Sequence, residues 1–376
     1  MNAAARIIFA LALLTGAVLF VVSLKSPPPG PKPGPTLPEE GSSLPSPGPE
    51  AKPGVLDSHE NCRACHETIY REWEQSYHAQ AWVDPMFKEL SKDYRDESCH
   101  SCHAPRPVHD AGFATAEARR SVREAGITCL TCHQKGNRVV GPIRDPEGAP
   151  GCPPDCGPTY DPAHASGESQ AVTNTYCGVC HNLHKTNDEF LGSRFAREGM
   201  TCLSCHMQEV VRPIVPNGKP RRSRIHTFPG AHSEELLRQA MEAQARVEGD
   251  RLVARTVNKG AGHKIPTDAR HRAILLRVAF FDPDGGPVPV PSPLTGEVDR
   301  EVTIDLIRLF YRWEEKESTQ VDADGTLGRD NWREASIPIP PAARGGKAIV
   351  RLYYLLRWDW PPERGVLVDQ EEVRLE

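Results

Sequence analysis

The sequence has no excess of basic residues, and its apolar content is modest. Lys and Arg together number 45 against 50 Asp and Glu, which gives a net charge of −5 at pH 7. The composition therefore indicates no surface for nucleic acid. Apolar residues make up 38% of the 376 residues, and no cysteine follows Cys205. The length predicts two or three structural units, of which the last has no cysteine for disulfides or metal ligation.

One long apolar run is present, at residues 7–24, and it is uncharged. At 1.5 Å per residue it would span about 27 Å as a helix, close to the thickness of the hydrocarbon core of a bilayer. No Ala-x-Ala cleavage site follows, so residues 1–25 are predicted to form an uncleaved transmembrane signal anchor. A cleaved signal peptide is the alternative. Either interpretation places the remainder on the exported, periplasmic side of the cytoplasmic membrane.

A proline-rich stretch follows the apolar run. Residues 26–54 contain 11 prolines in 29 positions. Such a segment cannot build a core and is predicted to be an extended spacer reaching at most about 90 Å. The expected organisation is therefore an anchor (1–25), a Pro/Gly-rich linker (26–56), a first folded domain (57–246) and a second (247–376).

Five stretches of the first folded domain read Cys-x-x-Cys-His, and they are numbered here as motifs 1 to 5. Their residues are Cys62, Cys65 and His66; Cys99, Cys102 and His103; Cys129, Cys132 and His133; Cys177, Cys180 and His181; and Cys202, Cys205 and His206. This is the attachment signature of a c-type haem, in which two thiols one helical turn apart bond one porphyrin and the histidine ligates its iron.

Zinc sites or disulfides are the alternative interpretation of the cysteines. Zinc would require the pairs to combine into four-ligand sites, and it would not require a histidine after every second cysteine. The sequence therefore predicts five covalently bound haem c groups. Because each porphyrin supplies a large apolar surface, a region with few apolar side chains can still fold around them. Cys152 and Cys156 lie outside the motifs, and a local disulfide is expected in the oxidising exported compartment.

Each haem iron needs a sixth ligand or an open position. Methionine is scarce, with five in the chain, so histidine is the expected ligand. Ten of the 15 histidines lie outside the proximal motif positions. They are His59, His78, His100, His109, His164, His184, His226, His232, His263 and His271.

Several stretches resemble the multihaem cytochrome c554-type family. They are Trp73-Glu74-Gln75-Ser76-Tyr77-His78-Ala79, in the form W-x-x-S-x-H-A, then Gly126-Ile127-Thr128, Cys180-His181-Asn182-Leu183-His184, the segment from His226 to His232, and the segment from Asn258 to Thr267. The resemblance covers roughly residues 57–300. The best-known member of the family has four haems, so the fifth motif is a departure that prevents one-to-one transfer of haem pairings.

The resemblance implies that His78 and His263 are distal ligands. It implies His109, His184 and one of His226 or His232 next, and His232 completes the predicted set. His164 is a reserve candidate. His59 and His100 lie beside their own motif cysteines and could serve only a neighbouring haem, while His271 opens a probable strand and is expected to be structural.

Periodicity divides the folded part into two classes of structure. Short helices and loops are predicted around the motifs, with no convincing strand pattern; the clearest helix is Glu67 to Gln80. A connecting helix is predicted at Ser233 to Arg246. Strands are predicted at 251–258, 273–281, 302–311 and 348–358, which indicates an all-β, sandwich-like domain. The fold class is therefore a mainly α and irregular multihaem region followed by a β domain.

The predicted function is electron transfer through mostly bis-His haems. The expected partners are other redox proteins or membrane quinol-oxidising complexes. The alternative is an oxidoreductase with one open haem position, acting on nitrogen or sulfur oxyanions or hydroxylamine. The sequence has no Cys-x-x-Cys-Lys motif of the kind typical of pentahaem nitrite reductases, and it has three motifs fewer than octahaem hydroxylamine oxidoreductase-like enzymes. A third interpretation is a structural subunit of an outer-surface conduit or filament.

Overall fold

The computed structural model describes residues 59–113, 115–135, 138–139, 169–218, 220–267, 269, 271–291, 303–310 and 332–376. The predicted anchor and spacer lie outside these residues, as do Cys152, Cys156 and His164. Among the described residues, no helix has the length and apolar character needed to cross a bilayer.

The first part of the described chain is built from short helices. They are α1 (Arg63–Glu74), α2 (Pro85–Leu90), α3 (His100–His103), α4 (Cys129–His133), α5 (Ser169–His181), α6 (Thr186–Gly192), α7 (Arg194–Arg197), α8 (Cys202–His206) and α9 (Glu234–Ala240). All five motifs lie on or at the ends of these helices, as expected for thiols separated by one turn.

Helix α1 begins earlier and ends earlier than the predicted helix at Glu67 to Gln80. It ends at Glu74, and the chain turns at Ser76, whose N–H and hydroxyl both bond the carbonyl of Trp73 at 2.8 and 2.6 Å. This local bonding of a serine to the backbone competes with continuation of the helix. The prediction was therefore wrong at both ends, and the turn leaves His78 outside the helix.

Two motif helices begin with the same capping arrangement. The N–H of Thr128 donates to the hydroxyl of Thr131 at 3.2 Å, and the N–H of Thr201 donates to Ser204 at 3.0 Å. In each case the hydroxyl belongs to the residue just before the second cysteine of the motif. The repeated sequence Thr-Cys-Leu-Thr/Ser-Cys-His is thus a local signal for a helix start as well as for haem attachment.

The connecting helix predicted at Ser233 to Arg246 is wrong in its second half. Ser233 caps α9 as predicted, accepting a hydrogen bond from the N–H of Leu236 at 3.3 Å, but the helix ends at Ala240. A strand, β5 (Met241–Glu248), follows directly. Its helix-favouring residues adopt an extended form because Met241 and Ala243 are buried against the neighbouring strand, and packing outweighs local propensity. The strand runs across the domain boundary predicted at 246.

Two small antiparallel pairs lie within the haem-bearing region, where no strand was predicted. They are β1 (Gln134–Lys135) with β2 (Arg138–Val139), and β3 (Glu209–Arg212) with β4 (Arg221–Arg224). The second pair is formed by short, charge-rich segments that lack the alternating apolar pattern of a strand.

The C-terminal part is formed by antiparallel sheets, as predicted. After β5 come β6 (Arg251–Asn258), β7 (Ala273–Phe281), β8 (Pro287–Val288), β9 (Thr303–Phe310), β10 (Trp332–Pro338), β11 (Lys347–Leu355) and β12 (Val366–Arg374). The predicted strands at 251–258 and 273–281 are confirmed with their boundaries, and those at 302–311 and 348–358 are confirmed within a few residues. The sequence prediction missed β5, β8, β10 and β12.

Two sheets of these strands share one hydrophobic core. The smaller has the order β10-β6-β5, and the larger has the order β12-β11-β7, with β8 and β9 both pairing the free edge of β7. Buried side chains from both sheets, including Leu252, Phe280 and Leu352, belong to one cluster. The loop between β6 and β7 carries His263, and Ile265 from the same loop is buried in this core.

Candidate haem-binding site

Three pairs of histidine rings face each other at the same distance. The ring centres of His78 and His181 are 6.3 Å apart, and so are those of His133 and His226 and those of His206 and His263. In each pair one histidine belongs to a motif and the other lies outside the motifs.

A separation of this size fits a metal ion between the rings. Two imidazoles on opposite sides of one ion, each with a metal–nitrogen bond of about 2 Å, place their ring centres roughly 6 Å apart. Direct ring stacking is much closer, as in Tyr77 and His232 at 3.4 Å. The three pairs therefore have the spacing expected of two axial ligands on one iron.

Backbone carbonyls define the tautomer of five histidines among the motif residues and the predicted ligands. The Nδ1 atoms of the proximal His66, His103 and His206 lie 2.8, 2.6 and 2.6 Å from the carbonyls of Ile214, Ala81 and Pro229. The same contact joins His226 to Arg224 at 2.8 Å and His263 to Lys264 at 3.0 Å. Because a carbonyl only accepts, Nδ1 carries the proton and Nε2 keeps its lone pair, as an iron ligand requires.

Burial keeps two of the distal imidazoles neutral. Burial, together with smaller contributions from the neighbouring His181, His206 and His226, lowers the pKa of His78 to about 3. Burial also lowers the pKa of His226 to about 4, with His133 as the next cause. Both rings are therefore uncharged near neutral pH, which is the form that binds a metal.

The W-x-x-S-x-H-A stretch positions His78 through the residues before motif 3. The indole N–H of Trp73 donates to the carbonyl of Ile127 at 2.7 Å, and the N–H of Ile127 donates to the carbonyl of His78 at 2.9 Å. Gly126 lies so close that an added Cβ would be 2.5 Å from the His78 carbonyl oxygen. Two of the five stretches that carry the family resemblance are thus in contact.

The loop between β6 and β7 brings His263 to the haem-bearing region. Asn258 at the end of β6 donates to the carbonyl of His263 at 2.9 Å, and the N–H of Lys264 donates to Glu189 of α6 at 3.0 Å. Gly262 lies against the ring of Phe190, where an added Cβ would be only 2.6 Å from the ring. The β region therefore contributes a histidine that faces His206. That His263 ligates a haem, as the resemblance implies, stays a prediction.

A short segment after β4 contacts three of the motif sites. His226 faces His133, the ring of Phe228 lies 4.3 Å from the ring of His78, and the carbonyl of Pro229 accepts from His206. Phe228 adopts a left-handed backbone conformation with φ of 47°. Sequence reasoning missed Phe228, since an isolated phenylalanine gives no signal for such a role.

His226 and His232, the two alternatives for one predicted ligand, have different surroundings. His226 faces a motif histidine, whereas His232 stacks on Tyr77. Burial, with Arg272 as the next cause, lowers the pKa of His232 to about 4. The ring geometry therefore fits a ligand role for His226, and the predicted ligand role of His232 stays a prediction.

The remaining predicted ligands have other surroundings. His109 shares a hydrogen bond with the hydroxyl of Tyr176, and its ring lies 4.9 Å from that of Phe113. His184 lies in the turn between α5 and α6. For these two the predicted ligand role stays a prediction.

The motif 1 and motif 2 histidines differ from the other three. No other described histidine ring lies at the 6.3 Å spacing from His66 or His103. The ring of His103 instead stacks on Phe87 at 3.8 Å. Near motif 2, the ring of Trp82 stacks on Tyr94 at 4.9 Å and lies 4.9 Å from the ring of His100. These three rings form an aromatic cluster beside the motif.

The motifs contact each other in pairs. The thiols of Cys62 and Cys129 are within hydrogen-bonding reach, and so are those of Cys177 and Cys202. Motif 1 therefore lies beside motif 3, and motif 4 beside motif 5. Burial raises the pKa of Tyr176, beside Cys132 of motif 3, to about 12.

Cysteine pairs on short helices, with imidazoles fixed in the ligating tautomer beside them, are the features of a multihaem c-type cytochrome. The family comparison agrees with this class. Residues 61–134 match the family described as cytochrome c554 and c-prime, and residues 170–211 match the doubled CXXCH motif. The resemblance found in the sequence is confirmed, since these two stretches match the cytochrome c554 family and its paired CXXCH motif.

A solved structure shares the fold. The chain is similar to a penta-heme cytochrome c552 from Thermochromatium tepidum, at 19% identity and a TM-score of 0.56, over 86% of this chain and 100% of that one. A hypothetical protein, PH1083 from Pyrococcus horikoshii OT3, aligns at 14% identity over 36% of this chain and 86% of that one, and its TM-score of 0.20 carries no argument. No curated protein sequence matches the chain.

Proposed function

We propose that the protein is a membrane-tethered, exported pentahaem cytochrome that passes electrons between redox partners. The observation that carries the proposal is the set of three histidine pairs at 6.3 Å. In our proposal each pair ligates one haem: His133 with His226, His181 with His78, and His206 with His263. Haems with two protein ligands have no position for a substrate, and they suit electron transfer.

The closeness of the pairs supports a continuous relay. His78 lies near enough to His181, His206 and His226 for all three to influence its pKa, and His103 is influenced in the same way by His181. With motif 1 beside motif 3, the haems would follow the order 1, 3, the 4–5 pair, and 2. The haems of motifs 1 and 2 would then be the ends of the relay, where electrons enter and leave.

The number of haems, the tether and the partners also belong to the proposal. Five motifs and the similarity to a structure described as a penta-heme cytochrome support five haems. The apolar run at residues 7–24 and the spacer after it support a tether on the periplasmic side of the membrane. Redox proteins and quinol-oxidising complexes are the expected partners, since the proposed function involves no substrate other than electrons.

Electron paramagnetic resonance of the oxidised protein tests the ligand pairs. The haems of motifs 3, 4 and 5 are expected to be low-spin, because strong imidazole ligands occupy both axial positions. Replacing His263→Ala is expected to convert one haem to high spin. His271→Ala is a suitable control, because His271 lies near the same loop and no motif histidine faces it. An unchanged spectrum in the His263 variant would contradict the proposed pair.

A second candidate function is catalysis at an end haem. It is favoured by the absence of another described histidine ring at the ligand spacing from His103 or His66. An open position at one of these irons would permit a small nitrogen or sulfur compound to bind. Addition of nitric oxide or hydroxylamine to the reduced protein distinguishes the two candidate functions. A spectral change in one haem supports catalysis, and an unchanged spectrum supports a pure electron carrier.

A further inference from the structure

A buried ion pair lies behind the distal histidine of motif 3. Glu72 is on α1, the helix of motif 1, and Arg212 is the last residue of β3. Their side chains are only 16% and 15% exposed. Arg212 holds both carboxylate oxygens, with its Nη2 atom donating to Oε2 at 2.8 Å and its Nη1 atom donating to Oε1. Such a two-pronged contact fixes both side chains in one orientation.

The ion pair holds His226 at two points. The backbone N–H of His226 donates to Oε2 of Glu72 at 2.9 Å. Arg212 Nη2 also donates to the carbonyl of Arg224 at 3.1 Å, and the same carbonyl accepts from Nδ1 of His226 at 2.8 Å. The carboxylate therefore positions the backbone of His226, and the guanidinium positions the carbonyl that fixes its ring.

The hairpin of Arg212 also reaches motif 1. Ile214, two residues after Arg212, provides the carbonyl that accepts from the proximal His66 at 2.8 Å. Glu72 belongs to the helix that begins in motif 1. Motifs 1 and 3 lie beside each other, with the thiols of Cys62 and Cys129 within hydrogen-bonding reach. One ion pair thus connects the segments that position the histidines of two adjacent haem sites.

We propose that Glu72 and Arg212 are positioning residues for the sixth ligand of the motif 3 haem, and that their opposite charges balance the potential of this haem. The inference rests on the proposed pairing of His133 with His226. Groups that orient a ligating histidine tune the metal that it binds, and an unbalanced buried charge changes the relative stability of its oxidised and reduced forms.

Opposite shifts in potential are the expected result when one charge is removed at a time. Glu72→Gln keeps an oxygen for the N–H of His226 but leaves the guanidinium unbalanced, which favours the reduced iron and raises its potential. Arg212→Met leaves the carboxylate unbalanced, which favours the oxidised iron and lowers its potential. The double variant restores neutrality and is expected to lie between the single variants. Arg212→Met is also expected to give a partial high-spin signal.

The measurement is a redox titration followed by visible absorbance, with electron paramagnetic resonance of each oxidised variant. His226→Ala serves as the reference, because it identifies which component belongs to the motif 3 haem. Glu67→Gln and Arg71→Met are matched controls, since they remove an exposed ion pair of the same helix. Haem content and the unfolding temperature establish that each variant is folded.

The outcomes separate the inference from the proposed function. The inference is supported if Glu72→Gln and Arg212→Met shift the potential of the haem that His226→Ala alters in opposite directions. The control variants must leave this potential unchanged. If His226→Ala produces a high-spin haem but both charge variants leave its potential unchanged or shift it in the same direction, the inference is wrong. Glu72→Gln decides this alone if Arg212→Met does not fold. If His226→Ala leaves every haem low-spin, the proposed ligand pair itself is wrong.

Discussion

The haem-bearing region and the β region are stabilised in different ways. In the β region, residues such as Leu252, Phe280 and Leu352 are completely buried and belong to one apolar cluster. The haem-bearing region has short helices, and its described buried apolar side chains, such as Trp73 and Phe87, are scattered. The difference indicates that the first region uses porphyrins as its core, while the second forms a core from its own side chains.

Loss of the haems is the change expected to produce the largest difference in stability between the two regions. Protein produced without haem attachment is expected to lose the ordered structure of helices α1 to α8, because the apolar surface that these helices pack on is missing. Strands β6, β7 and β11 are expected to persist. Hydrogen exchange measures both, with the holoprotein as control. Continued protection of α1 and α5 without haem would show that the comparison is wrong.

A cavity in the β core is the next largest expected effect. Phe280→Ala is expected to lower the free energy of unfolding of the β region by about 3–5 kcal/mol, since Phe280 is fully buried. The low-spin signals assigned to motifs 3 and 4 are expected to remain, because their proposed ligands come from the other region. Denaturant unfolding followed by far-ultraviolet circular dichroism measures the loss. Leu367→Ala, at a 36% exposed position, is the control.

The smallest expected effect concerns the contact between the two regions. In Gly262→Ala, the added methyl group would clash with Phe190, so the loop must shift at a cost of about 1–3 kcal/mol. This shift is expected to move His263 and to produce a partial high-spin signal from the motif 5 haem. Gly192→Ala is the matched control, because an added Cβ there meets no atom within 4 Å. A full low-spin signal in both variants would mean that the loop adapts without moving its histidine.

The chemistry-bearing residues of the site were predictable because covalent attachment imposes a fixed spacing. His78 and His263 were expected from the family resemblance instead, and in the structure each faces a motif histidine. Their ligand role stays a prediction. The apolar and β-branched runs of β6 and β7 were equally clear, since both strands are buried over most of their length.

The unpredicted features depend on contacts between distant residues. Strand β5 has helix-favouring residues and is extended because it pairs with β6. That the ring of His226, and not that of His232, faces His133 depends on the fold, and spacing along the chain does not encode this. Glu72 and Arg212 are 140 residues apart, so neither reads as part of a site in the sequence.

The four residues from His226 to Pro229 have a consequence for how this chain can change in length. They provide the ring facing His133, the aromatic side chain against His78 and the carbonyl that holds His206. An insertion or deletion here would displace partners of three haem sites together, whereas a length change between motifs 3 and 4 need not displace any of these contacts. We therefore expect relatives to vary in the second segment and to keep the length of the first.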